Sequence, residues 1–105
     1  MIADRFRLLA EPMRLRILHA LWDGDLTVRE IISATGGLQA NVSKHLGILQ
    51  RGGLVSRRKK GLNAYYRICD ESVFELCEAV CASLHGRLAA QLGELYAALP
   101  ERKRA

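Results

Sequence analysis

Acidic residues are missing from the middle of this 105-residue chain: all eleven Asp and Glu fall before Ile31 or after Cys69. Lys44, Arg51, Arg57, Arg58, Lys59, Lys60 and Arg67 stand in that window with no sequence neighbour of opposite sign, so a polyanion would meet attraction alone there. No apolar run approaches the roughly 20 residues of a membrane span, and the N-terminus lacks a basic-then-apolar leader, so the expectation is a cytoplasmic protein with no membrane partner. Cysteine is scarce: three residues, an odd count with no Cys-x-x-Cys, which argues against a disulfide framework and against a dithiol redox carrier. A glycine-rich phosphate loop is lacking too, and no acid–base pair stands out, so the chain does not read as an enzyme. At this length, with half the residues apolar, one small domain over 1–105 is expected.

What the chain does have is a punctuated stretch from Gly36 to Val55. Val42, Leu46 and Leu49 recur at helical spacing, and glycine pairs stand at both ends, where chain reversals need positive φ. The other face of that helix carries Gln39, Asn41, Ser43 and Lys44, with His45 close by, the side-chain chemistry that reads base edges and phosphate oxygens. Four adjacent basic residues alone are as readily a solvated face. Directly downstream of a polar helix they point to nucleic acid, whose binding to a basic face releases counterions.

The remaining segments place that helix. Ile2, Phe6, Leu8 and Leu9 make a short amphipathic N-terminal helix, and Glu11-Pro12 opens a second, in which Arg14 and Arg16 read as solvated arginines. Thr27-Val28-Arg29-Glu30 fits a capping box, predicting a short helix that buries Val28, Ile31 and Ile32 and ends at Thr35-Gly36-Gly37. Leu38 stands where Ser or Thr ordinarily caps the next helix. After the turn and recognition helix (36–51), residues 54–68 read as a hairpin with the charged tip Arg58-Lys59-Lys60-Gly61-Leu62-Asn63, and Tyr65 and Tyr66 on opposite faces, one of them core. From Ser72 the pattern is helical through 99, about 42 Å at roughly 1.5 Å per residue. The stripe Leu76, Val80, Leu84, Leu88 and Leu92 is longer than one small domain covers. It predicts a homodimer through this helix and the N-terminal one, Phe6 included. The fold class expected is mainly α with a small β-hairpin.

Leu8 to Leu18, Asn41-Val42-Ser43-Lys44-His45-Leu46, and Gly53-Leu54-Val55 with Tyr65-Tyr66-Arg67-Ile68 together resemble the ArsR (ArsR/SmtB) family of winged helix-turn-helix repressors over nearly all of the chain. The resemblance implies a dimer on a palindromic double-stranded DNA operator, released by an inducer that is often a metal or metalloid ion. By position it implies Gln39, Asn41, Ser43, Lys44 and His45 as operator readers, with Lys59, Lys60 and Asn63, beside Arg58, on the wing.

Two of the family's inducer sites are not kept. The cysteine-x-cysteine pair would fall near Leu26 to Ile31, which holds no cysteine, and of the zinc ligands on the last helix only Asp70 remains, beside Ser72, Ser83 and Gly86. What is left is Cys77 and Cys81, four apart on one helix, with Cys69 upstream. Three readings stay open: packed thiols at the dimer seam, thiolate ligands for As(III) or another thiophilic ion, and reversible oxidation or persulfidation. A DNA-binding dimer with no small-molecule inducer is the further alternative.

Overall fold

The structure is a computed structural model that describes residues 2–84. The chain is described as two compact units, 1–70 and 71–105.

In the first unit, α1 (Ile2–Leu9) leads to Glu11, whose side chain caps α2 (Pro12–Ala20) by accepting the Arg14 N–H at 3.0 Å. Proline fits the first helical position because its missing N–H has no partner there. A 3-10 turn (Leu21–Asp23) precedes β1 (Leu26–Thr27) and α3 (Val28–Thr35). The predicted capping box is formed: Thr27 Oγ1 accepts the Glu30 N–H at 3.2 Å, and Glu30 Oε1 accepts the Thr27 N–H at 2.9 Å. Helix α3 ends because Gly36 turns left-handed, with φ 73°, a conformation that costs glycine little. The next residue, Gly37, is needed for space instead: a Cβ there would lie 2.8 Å from both Met13 Cε and Val42 Cγ2. Helix α4 (Gln39–Arg51) follows, and the strands β2 (Val55–Lys60) and β3 (Asn63–Ile68) complete the unit.

Ile17, Ile31, Val42, Leu46, Leu49, Leu54 and Val55 are almost wholly buried, each burial contributing about 1.5–3 kcal/mol. Val28 and Ile32 are only half-buried, so Ile31 alone of the three predicted core positions on α3 is fully covered.

The sheet is more than a hairpin. Its strand order is β1-β3-β2, all antiparallel, with Leu26 opposite Tyr66 and Thr27 opposite Tyr65. Strand β3 is therefore central, and Tyr65 and Tyr66 are both half-buried, so neither is the core residue that one of them was expected to be.

In the second unit, a helix α5 runs from 72 and is described to 84. Leu76, Cys77 and Cys81 on it are half-buried, while Val80 and Leu84 are exposed. Leu88, Leu92 and the rest of the predicted 72–99 helix lie outside the described residues.

Candidate nucleic-acid interface

Helix α4 is divided lengthwise. Val42, His45, Leu46 and Leu49 face inward, and Gln39, Asn41, Ser43 and Lys44 are exposed. Its first turn has no acidic residue, and Leu38 offers no side-chain cap, so the positive end of the helix carries backbone N–H groups with no side-chain acceptor from its cap residue.

His45 is removed from the reading face. It is 7% exposed, because it sits three residues after Val42 and four before Leu49, on the apolar stripe itself. Its Nδ1 lies 3.2 Å from Arg14 Nη1 and its Nε2 lies 3.8 Å from Glu11 Oε2. A guanidinium only donates, so Nδ1 accepts and the ring proton belongs on Nε2, toward the carboxylate. Arg14 also donates from Nε to the Leu8 carbonyl at 2.8 Å and from Nη2 to the Arg7 carbonyl at 3.2 Å. It is a strut between helices, not the solvated arginine its sequence context suggests. The Glu11 carboxyl is held below its ordinary pKa, first by the Arg14 backbone N–H; desolvation opposes this, and the nearby His45 adds to the lowering.

Arg57, Arg58, Lys59 and Lys60 are all exposed along β2. Lys60 pairs with Asn63, so Gly61 and Leu62 alone make the turn, with Gly61 at φ 64°. Arg67 differs from the other cations of the acid-free window. Its Nε lies 3.7 Å from Asp25 Oδ1, a neighbour supplied by the fold and invisible in the sequence. A cleft of about 800 Å³ lies between the starts of α3 and α4 and the wing, and it brings Gln39 and Asn63 into one lining. Arg29 is exposed in that same lining. Its only sequence signal was its place in the first turn of a capped helix.

Cys69 is exposed, with Sγ 3.3 Å from the Gly53 carbonyl, and Cys77 and Cys81 are half-buried on α5. Among the described residues no three His, Cys, Asp or Glu side chains are grouped to hold a metal ion. No described helix is long and apolar enough to cross a membrane.

Residues 11–57, from the α2 cap into β2, match the family described as "Bacterial regulatory protein, arsR family". The HTH-type transcriptional regulator Rv0081 of Mycobacterium tuberculosis is 40% identical over 75 residues, 70% of this chain and 66% of that protein. Its crystal structure superposes with a TM-score of 0.76 at 34% identity, covering 86% of this chain and 91% of that one. The chain belongs to the ArsR family. A cadmium resistance regulatory protein CadC homologue of Staphylococcus aureus is 33% identical over 93 residues, 88% of this chain and 75% of that protein. The solution structure of Mb0332 from Mycobacterium bovis, described as a homodimeric winged helix-turn-helix DNA-binding domain, gives a TM-score of 0.69 at 38% identity, covering 80% of each chain. This ArsR-family chain spans just under two thirds, 66%, of the length of Rv0081. The family and these relatives alike are named as regulators of transcription.

Proposed function

We propose that this chain is a sequence-specific DNA-binding repressor that acts as a homodimer on a double-stranded operator. The observation that carries the reading is the two-sided α4: an inward stripe fixes it on the core, while Gln39, Asn41, Ser43 and Lys44 stand exposed. A helix about 10–12 Å across fits a major groove about 12 Å wide. Amides and hydroxyls on that face pair with base edges, and Lys44 and the helix N-terminus suit phosphates. Arg58, Lys59, Lys60 and Asn63 then meet the neighbouring backbone or minor groove. Dimerisation is supported by the exposed apolar side chains Phe6, Val80 and Leu84. A repressor works where the chromosome is, so the same reading assigns the protein to the cytoplasm.

Release by an inducer is the finer part of the proposal, and it is assigned to the thiols of Cys77 and Cys81, one helical turn apart. A three-coordinate soft ion such as As(III) needs a third ligand, and the described residues group no three donors for one. Cys69 or a thiol of the partner subunit is the candidate. Oxidation or persulfidation of the pair needs no third ligand and is the alternative within the same site.

The test is binding of a labelled fragment of the protein's own promoter, followed by anisotropy across a salt series and repeated with As(III), Cd(II), Zn(II) and a persulfide donor. Affinity above that for a scrambled duplex, falling steeply with salt, is expected. Equal affinity for both duplexes would overturn the repressor reading. Operator binding that ignores every agent would leave a dimer without a small-molecule inducer.

A further inference from the structure

The tip of the wing carries a residue that its basic surroundings do not explain. Leu62 is 100% exposed, at the second position of a two-residue turn. Gly61 absorbs the positive φ, and no residue other than glycine among those described has one, so Leu62 sits on ordinary backbone in a tight, primed hairpin turn. Such a turn is short and fixes its tip residue outward. Lys60 and Asn63 are the closing pair of the turn, and Lys59 stands one position back along β2.

We propose that Leu62 is an apolar wedge that enters the minor groove and parts one base step where the wing meets the duplex; the proposal rests on the DNA-binding reading above. The partner for this tip must be anionic outside, to suit the lysines, and apolar within, to suit the leucine. Duplex DNA is both, since base stacks lie behind the phosphates. An anionic bilayer has the same pairing of properties, but one leucine supplies little area for holding a membrane. Position favours DNA. Leu62 and Asn63 share a cleft lining with Gln39 of α4, so a ligand lying on the polar face of α4 also passes the wing tip. The Asn63 amide suits the acceptors that A·T pairs present in the minor groove. A wedge of this kind partly unstacks a step and kinks the helix, most cheaply at pyrimidine–purine steps such as TA or CA. The operator then carries a sequence preference at a step that no side chain need read by hydrogen bonding.

The test uses the full chain and a duplex it selects from a random pool, with 2-aminopurine placed in turn at each adenine on the wing side of the α4 contacts. The wild-type protein is expected to raise the fluorescence at one step per half-site. Leu62→Ala should abolish that rise, bind roughly tenfold more weakly, the order set by a leucine without an apolar partner, and lose the preference for a flexible step. Its salt dependence should stay that of wild type, because no charge is removed. Unchanged circular dichroism is expected, as the side chain touches no core. Lys60→Ala should do the reverse, flattening the salt dependence while keeping the fluorescence rise. Specific binding by wild type with no rise at any step, or a Leu62→Ala protein that keeps both rise and affinity, overturns the wedge while leaving the repressor reading intact. Failure of wild type to select any duplex overturns both. Leu62-dependent sedimentation with phosphatidylserine vesicles, at unchanged duplex affinity, assigns the tip to a membrane and overturns the wedge.

Discussion

Arg14 of α2 places Nη1 3.2 Å from Nδ1 of His45, on the buried face of α4. The same guanidinium holds the Leu8 and Arg7 carbonyls, so one side chain ties the end of α1 and the start of α2 to α4. Hydrogen bonds to charged groups contribute about 1.5–3 kcal/mol each and are not additive. Arg14→Ala is expected to lower unfolding stability by about 2–3 kcal/mol, read from the urea midpoint. Arg14→Lys should recover only part, because an ammonium lacks the planar fork that reaches three acceptors. Arg16→Ala, at an exposed position, should change stability by no more than about 0.5 kcal/mol. Equal midpoints for the two alanine variants would refute the strut.

Glu11 gives the acid side of stability a specific source. Its carboxyl is held below its ordinary pKa, chiefly by the backbone N–H of Arg14, so folding favours the ionised form. The contribution is fully present above the unfolded-state pKa and is lost as pH falls through the lower, folded value. Wild type should therefore exceed Glu11→Gln in urea midpoint near neutrality, with the gap closing below about pH 4. A gap that is constant across the acid range would mean that the cap acts through packing alone.

Periodicity and local chemistry made much of this fold legible. Val42, Leu46 and Leu49 announce the inward face of α4, and Thr27 with Glu30 announces the start of α3, because both signals lie within one or two helical turns. Strand β1 was not legible: two residues show no alternation, and Leu26 and Thr27 become a strand only by pairing with Tyr66 and Tyr65 far along the chain. Long-range pairing around the candidate site was hidden in the same way. Arg14 finds its partners six, seven and 31 residues away, and Arg67 finds Asp25, so charge tallies along the sequence overstated how many cations are free. The burial of His45 is legible from spacing alone, three residues after Val42 and four before Leu49, against what its polar identity suggests.

The surface of α4 and the wing should separate choice from grip. Lys59→Ala with Lys60→Ala is expected to weaken operator and random duplex alike and to reduce the salt slope by about 2, one per phosphate contact. Asn41→Ala or Ser43→Ala should instead cost discrimination between the operator and its single-base variants, about 1–3 kcal/mol at one position. His45→Ala should follow neither pattern and should show first as lost stability. Competition assays against point-mutated operators decide between these outcomes, and a wing variant that changes base preference would contradict the division.

Leu84 tests whether two copies are needed for grip. It is 42% exposed and Val80 on the same helix is 48% exposed, a large apolar surface for two neighbouring turns. Burying such side chains against a second copy recovers about 1.5–3 kcal/mol each, whereas an aspartate there would place a charge in the seam with no partner. Leu84→Asp is expected to sediment as a monomer at concentrations where wild type is a dimer, with unchanged helical content, because the side chain is exposed rather than part of the core among the described residues. On the proposed reading each subunit presents one α4 to one half-site. Two linked half-sites bind with an avidity about 10²–10⁴ above one. The variant should therefore lose about a hundredfold or more on the full operator and almost nothing on an isolated half-site. A monomeric variant that keeps full operator affinity would show that one copy suffices, and a dimeric one would move the seam away from Leu84.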